Sequence, residues 1–268
     1  MDQGHVGEPA VVAPAAPDPP PYYGDGPEPG HRERPLQGYT DAPTRLKLAT
    51  LAVGLASAAG AVGAISGVLA YFEARRVADD VPGAGAAPVD ALPIHQAHLD
   101  ALNDALQRND AWIAVWALAL IVSGVCVLLW QVRANRNLPE LGFRWASFGP
   151  VSTVFCWLVP VWQWFAPKAA INELWRSGLD DGEDPDGTAE PPAWLAVWWG
   201  VWLLVVLGGR IAYAALPSET LDDFAVLSLV GAAMALGLAV AGVLMIRIMW
   251  RITDRQRRRA GLDGLLPT

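Results

Sequence analysis

The hydrophobic residues of this chain are concentrated in long blocks, and polar connections separate the blocks. Four of the blocks cover residues 46–72, 111–131, 193–216 and 224–249. Each is about as long as the roughly 20 residues that cross about 30 Å of hydrocarbon. A soluble core would require a more even spread of apolar positions. The pattern therefore predicts an all-α membrane protein with four transmembrane helices.

A fifth apolar block, residues 149–166, lies between the second and third predicted spans and differs from them. It is rich in tryptophan, contains Pro160 and Gln163, and ends before Pro167. An interior proline removes a backbone donor and kinks a helix, and a buried amide needs a partner. Irregular backbone at membrane depth is tolerated only where protein or water covers it. We therefore expect a re-entrant or interfacial segment here.

A short amphipathic helix is predicted directly after this block, at residues 168–177. Ile171, Leu174 and Trp175 share one face of it, and Gly178 is typical of a helix C-terminus.

Another amphipathic pattern, at residues 94–107, precedes the second span and predicts a short amphipathic helix. It carries His95 and His98, and two histidines at this spacing can share a metal. No further ligand is evident in the sequence, so we expect neither a metal nor another cofactor.

The distribution of basic residues predicts the topology, because lysine and arginine favour the cytoplasmic side of short loops. With the N-terminus inside and residues 149–166 not crossing, 15 of the 19 basic residues are cytoplasmic. With the N-terminus outside and five crossings, only 11 basic residues are cytoplasmic and 8 are outside. We therefore expect a multi-pass protein of the cell membrane with both termini in the cytoplasm.

The two ends of the chain are predicted to be tails. Residues 1–44 contain ten prolines with many Gly, Ala and acidic residues, and such a segment buries too little apolar surface to become ordered. Residues 259–268 form a short cytoplasmic C-terminal tail. Between them, residues 45–258 form the membrane domain.

The composition excludes several classes of function. No region is both basic and aromatic, which argues against a nucleic-acid partner. The sequence has no glycine-rich phosphate loop, no nucleophile elbow and no histidine within the spans. Acidic residues at mid-depth, which an ion relay would need, are also missing from the sequence. We therefore expect a protein that is not an enzyme.

Arg210 is a candidate functional residue because an arginine within an apolar span is costly. It lies about two turns from the outer end of its span, where its side chain can reach water. Glu219, Asp222 or Asp223 could pair with it, so structural anchoring is the alternative to a role in binding or transport.

A second group of polar residues is expected on the cytoplasmic side, where two loops could converge around the broken block. The alternative is that its arginines are orientation signals near lipid phosphates and that Glu173 is a solvated helix residue. The candidate partner or lipid site comprises Arg133, Asn135, Pro160, Gln163, Glu173, Trp175, Arg176 and, at the other end, Arg210.

Several stretches resemble the DUF4328 family, multi-pass membrane proteins that are common in actinobacteria and have no assigned function. They are Arg133-Ala134-Asn135, Trp157-Leu158-Val159-Pro160-Val161, Pro167, Glu173-Leu174-Trp175-Arg176, Trp198-Trp199, Trp202 and Arg210. The resemblance runs from about residue 45 to residue 258. The chain departs from the family pattern at Gln163, where Asn is usual, and at Phe165, where Trp is usual. The resemblance implies that the broken block is a hallmark of the family, and it implies no activity.

Two hypotheses for function follow. The first is a structural or regulatory protein that binds membrane lipids or a membrane-protein partner, which includes a second copy of the chain. The alternative is a small transporter or channel-like protein with a cytoplasmic-side site around Pro160 and Gln163. Gly60, Gly63 and Gly67 leave a smooth strip on the first span, which favours close packing within the bundle over dimerisation.

Overall fold

The computed structural model describes residues 38–80, 83, 85–86, 96–143, 146–178, 189–216 and 219–265, with only the backbone described for 96–110. The predicted disorder of residues 1–37, most of the predicted N-terminal tail, lies outside the described residues. So do His95 and the last three residues of the predicted C-terminal tail.

The described part of the chain is α-helical and contains no β-strand. Its six helices are α1 (Pro43–Asp80), α2 (Gln96–Arg136), α3 (Pro150–Leu158), α4 (Ala166–Arg176), α5 (Ala193–Ala215) and α6 (Leu221–Arg259). Four of them are long and apolar enough to cross a membrane, namely α1, residues Ala111–Arg136 of α2, α5 and α6. The predicted fold class is confirmed: the chain is an all-α membrane protein with four transmembrane helices.

Three of the four long helices extend beyond the predicted spans. At 1.5 Å per residue, the 38 residues of α1 and the 39 residues of α6 are each nearly 60 Å long, about twice the hydrocarbon thickness. The amphipathic helix predicted at 94–107 is present from Gln96 but does not end there, since α2 runs without a break from Gln96 to Arg136. No glycine or proline lies between this polar part and the span, so nothing ends the helix there.

The spans alternate in direction. At one end of the bundle, the Trp250 indole of α6 donates to the Thr50 hydroxyl of α1 at 2.8 Å. At the other end, Arg75 of α1 pairs with Asp222 of α6 at 2.6 Å. A capping box between Thr220 and Asp223, with both hydrogen bonds at 3.1 Å, begins α6 beside this pair.

The glycine strip of α1 lies inside the bundle, where α1 packs against α2 and α6. A Cβ at Gly67 would lie 2.9 Å from the backbone oxygen of Ser228, and a Cβ at Gly63 would lie 2.9 Å from the Trp112 indole nitrogen. These approaches leave no room for a side chain. The prediction that the strip serves packing within the bundle is confirmed.

The broken block forms a helical hairpin of α3 and α4, which we call the α3–α4 hairpin. Val159 is extended because the proline that follows it disfavours helical backbone, and α3 therefore ends at Leu158. A 3-10 turn, Trp162–Trp164, leads into α4, which tolerates Pro167 because it lies in the first helical turn. With nine residues, α3 is about 14 Å long and too short to cross a membrane.

The two ends of the α3–α4 hairpin lie together. The Glu173 carboxylate near the end of α4 accepts hydrogen bonds from the backbone amides of Ser147 and Phe148, just before α3, at 2.7 and 3.2 Å. Closer to the turn, Cys156 packs against Ala170 of α4. The hairpin thus enters and leaves at the same end of the bundle, which also holds the start of α1 and the end of α6. We call this the hairpin end.

Candidate functional site

The α3–α4 hairpin is fixed to α2 by two side-chain amides one turn apart. The Trp157 indole donates to the Gln131 side-chain oxygen at 3.0 Å. The Asn135 side-chain nitrogen donates to the Thr153 hydroxyl at 2.6 Å and to the Gln131 backbone oxygen at 3.2 Å. Gln131 and Thr153 are fully buried, so the two Asn135 bonds lie away from water, while the Trp157–Gln131 bond is partly buried. They orient α3 along the last two turns of α2.

Each of these amides also has a buried atom without a partner. The Gln131 side-chain nitrogen and the Asn135 side-chain oxygen make no hydrogen bond within the described part of the chain. A buried polar atom left unpaired costs about 1–3 kcal/mol. The contact with the hairpin therefore engages only one of the two polar atoms of each side-chain amide.

The hairpin reaches α5 through aromatic contacts. The Trp157 ring meets Trp202 and Trp199 edge-on, with ring centroids 5.8 and 6.5 Å apart, and Trp199 stacks on Trp202 at 4.8 Å. Among the spans, α2 packs on α1 while α5 packs on α6. Trp157 therefore lies between α2 and α5 and contacts both.

A cavity of about 410 Å³ lies beside Trp157, between all four spans. Its size is within the usual range for small-molecule sites. The lining is almost entirely apolar, with Val127 of α2, Trp202 of α5 and Met245 of α6 as typical members, and it includes no charged side chain. Ser123 lines it too, but its hydroxyl donates to the Leu120 backbone oxygen at 2.8 Å. The cavity thus suits an apolar ligand and offers little for acid–base chemistry.

The predicted site residues on α4 lie at the hairpin end. The Arg255 guanidinium of α6 sits over the buried Trp175 ring at 4.2 Å, and the Arg176 side chain donates to the Ala189 backbone oxygen at 3.1 Å. Burial raises the pKa of Glu173 above its ordinary range, while its two amide hydrogen bonds and nearby Arg176 oppose that shift. Glu173 is therefore a structural acceptor that joins the two ends of the hairpin.

Arg133 does not turn towards the hairpin. It donates to the Thr40 backbone oxygen at 3.2 Å and to the Asn137 side-chain oxygen at 3.0 Å. The adjacent Asp41 pairs with Arg257 of α6, and burial raises the pKa of Tyr39. Arg133 thus holds the segment before α1 against the ends of α2 and α6.

Pro160 and Gln163 lie at the tip of the hairpin, apart from the other candidates. Pro160 is exposed and Gln163 is half-buried. Neither lines the cavity. The tip exposes large apolar side chains, which are Leu158, Val161, Trp162, Trp164 and Phe165.

Arg210 lies near the other end of α5, about 24 Å along the helix from Trp194. Its side chain is exposed, and it forms no ion pair with any acid in the described ranges. Asp222 pairs instead with Arg75, and Asp223 closes the capping box. The eight candidate residues are therefore distributed over three places: the hairpin end, the tip of the hairpin and the far end of α5.

Apart from Asn135, the residues that fix the hairpin were not among the predicted candidates. Gln131 appeared only as the boundary of the second span, Thr153 as an ordinary member of an apolar block, and Trp157 only as part of a stretch that resembles the family. The side-chain amide of Gln131 at the end of an apolar span could have indicated such a role, since a buried amide needs a hydrogen-bond partner. Its partner lies 26 residues away and could not be inferred from spacing.

The described residues contain no group of three or more His, Cys, Asp or Glu side chains placed to hold a metal ion. No curated protein and no solved structure matches the chain significantly. One family model does match, over residues 95–254, which is more than half of the chain. The matched region begins just before α2 and ends within α6, so it includes the α3–α4 hairpin and the helices that hold it. The chain belongs to the family that this model defines, the domain of unknown function DUF4328.

Proposed function

We propose that the protein binds the acyl chain of a membrane lipid in the cavity beside Trp157, and that it serves a structural or regulatory role through that lipid. The single observation that carries this proposal is the apolar cavity of about 410 Å³ beside Trp157.

The surroundings of the cavity favour a lipid over a soluble ligand. The surface of α2 beside it exposes Ile121 and Val125, and the surface of α5 exposes Val197 and Leu204. In a membrane, acyl chains cover such surfaces. Gly124 lines the cavity and is itself exposed, so it lies at the opening through which the acyl chain of a neighbouring lipid would enter.

We further propose that the α3–α4 hairpin is re-entrant and enters the cell membrane from the cytoplasmic side. The apolar tip with its two exposed tryptophans, Trp162 and Trp164, supports insertion into lipid. The distribution of basic residues supports cytoplasmic termini. The hairpin would then lie on the cytoplasmic side of the bound acyl chain.

A role in binding is favoured over catalysis, because the cavity lining carries no titratable side chain that could transfer a proton. A membrane-protein partner or a second copy of the chain remains part of the regulatory hypothesis. The alternative, a transporter centred on Pro160 and Gln163, has less support because neither residue lines the cavity.

The test fills the mouth of the cavity. A Cβ at Gly124 meets no atom within 4 Å, so Gly124→Leu should fold and occupy the entrance. Gly200→Leu is the matched control, since Gly200 is equally open and exposed but does not line the cavity. Each protein is purified in mild detergent, and retained phospholipid is counted by native mass spectrometry. A phospholipid with a photoreactive group in its acyl chain then maps the contacts.

We expect wild type and Gly200→Leu to retain lipid and to be labelled on the cavity-lining parts of α2 and α5. Gly124→Leu should retain fewer phospholipid molecules than wild type and should lose this labelling. Equal retention and labelling in Gly124→Leu and wild type would overturn the proposal.

A further inference from the structure

Three arginines of α6 form a row at the hairpin end, which we call the arginine row. Arg247, Arg251 and Arg255 are four residues apart and therefore share one side of the helix. Like charges at this spacing repel each other. No carboxylate in the described part of the chain forms an ion pair with any of the three.

Two of these side chains are positioned by indole rings. The Arg247 guanidinium lies over the Trp194 ring at 5.2 Å, and the Arg255 guanidinium lies over the Trp175 ring at 4.2 Å. The two indoles meet edge to face at 5.2 Å. A cation–π contact fixes a guanidinium but leaves its N–H groups to find other acceptors. Arg255 illustrates this, since its Nη1 is buried without a hydrogen-bond partner among the described residues.

Two carboxylates of the described residues, those of Glu173 and Asp254, are engaged elsewhere. Glu173 accepts from the Ser147 and Phe148 amides, and Asp254 accepts from Arg258. No carboxylate of the described residues therefore serves the arginine row, so its acceptor has to come from outside them. Guanidinium groups bind phosphate oxygens in a bidentate geometry, which makes a phosphate group the best-matched anion.

The position of the row indicates the source of that phosphate. Trp194 and Trp175 lie beside the row, and Trp250 lies on the same turns of α6. Tryptophans favour the headgroup level of a membrane, and anionic lipids attract basic side chains there. We propose that Arg247, Arg251 and Arg255, held by Trp194 and Trp175, bind the phosphate group of an anionic phospholipid. This proposal does not depend on the cavity, which lies between the spans rather than on this side of α6.

The test compares two phospholipids with identical acyl chains. Phosphatidylglycerol and phosphatidylcholine are titrated into delipidated protein in detergent, and bound lipid is measured by native mass spectrometry. Arg251→Gln with Arg255→Gln removes two charges from the row. Arg45→Gln with Arg136→Gln removes two charges from exposed arginines at the same end of the bundle and is the matched control.

We expect wild type to prefer phosphatidylglycerol. At about 1 kcal/mol per basic residue, the first double variant should bind it roughly 30-fold more weakly, while the control double variant stays within about threefold of wild type. The thermal midpoint of each variant is measured, and Arg251→Gln alone provides a milder change, because Arg251 is exposed and lies over no ring in the described residues. A folded Arg251→Gln variant should still lose several-fold in affinity.

Three outcomes would overturn the proposal. Equal weakening by both double variants would mean that only net charge matters. Equal thermal stabilisation by inorganic phosphate and by phosphatidylglycerol would identify a soluble anion as the ligand. No preference in wild type, together with a preference after neutralising the five acids at residues 180–186, would identify the chain's own acidic connection as the occupant of the row.

Discussion

The Trp157 indole donates a hydrogen bond to the side-chain oxygen of Gln131 at 3.0 Å, and this bond joins the α3–α4 hairpin to the second span. The same indole contacts Trp199 and Trp202 of α5. One side chain of the hairpin therefore connects two spans that otherwise pack on different neighbours.

Replacing Gln131 should weaken this connection. Gln131→Leu leaves the partly buried Trp157 N–H without its acceptor, so we expect a cost at or below the lower end of the roughly 1–3 kcal/mol of a fully buried unpaired donor. We expect a lower free energy of unfolding in detergent, measured by chemical denaturation. Gln163→Leu at the hairpin tip is the control and should change stability little, because no described residue forms a hydrogen bond with its side chain.

A double-mutant cycle with Trp157→Phe separates the bond from its surroundings. The double variant should lose less free energy of unfolding than the two single variants lose in sum, because no unpaired donor remains when both partners are removed. Strict additivity would show that the Gln131–Trp157 bond contributes nothing to the stability of the hairpin.

Gly178 should be intolerant of a side chain. A Cβ there would lie 2.6 Å from the Cβ of Arg255, where α4 ends against α6. Gly178→Ala should lower the free energy of unfolding by about 1–3 kcal/mol, the usual cost of overpacking. Gly200→Ala, which meets no atom within 4 Å, should be neutral or slightly stabilising. Similar midpoints for the two variants would argue against the close approach of α4 and α6.

Glu173 should give the protein a characteristic pH dependence. Burial raises its pKa in the folded state, so the folded protein holds this proton more tightly than the unfolded chain does. The stabilising contribution is present in full below the ordinary glutamate pKa of about 4.3 and is lost as pH rises through the folded value. Glu173→Gln cannot ionise and should lack this decrease when thermal midpoints are measured from pH 4 upwards. A wild-type decrease that persists unchanged in Glu173→Gln would assign it to another group.

The proposed topology can be checked with single cysteines. After Cys126 and Cys156 are replaced by alanine, Glu219→Cys should react with a membrane-impermeant thiol reagent in intact cells. Glu190→Cys, which precedes α5, should react only after permeabilisation, because the re-entrant hairpin keeps it on the cytoplasmic side. Both positions are exposed, so access to the reagent depends on the membrane alone. Labelling of Glu190→Cys in intact cells would show that the orientation is inverted or that the block crosses.

The α3–α4 hairpin shows how far local sequence information extends. Pro160 predicted a break because proline limits its own backbone and that of Val159, and both effects are local. The direction of the chain after the break is not local. It depends on Glu173 meeting the amides of Ser147 and Phe148, about 25 residues earlier in the chain.

The polar candidate residues show the same difference between what is local in the sequence and what depends on packing. Arg133 and Asn135 were both expected near the hairpin, but they differ by two residues and therefore point to different sides of α2. Asn135 meets Thr153, whereas Arg133 holds the segment before α1. The sequence shows which residues are polar near a helix end, and the packing of neighbouring helices selects their partners.

The sequence by itself determined the membrane class, the four spans and the break at Pro160, because the length of an apolar block and the backbone limits of proline act within one segment. The continuous helix from Gln96 to Arg136 should also have been predicted, since the sequence contains nothing to end it. Only the tertiary structure decided that Gln131 and Asn135 fix the hairpin, that a cavity lies beside Trp157, and that two arginines of the row lie over Trp194 and Trp175. The physical reason is that these features depend on the relative rotation of helices distant in sequence, and packing of all the helices together sets that rotation.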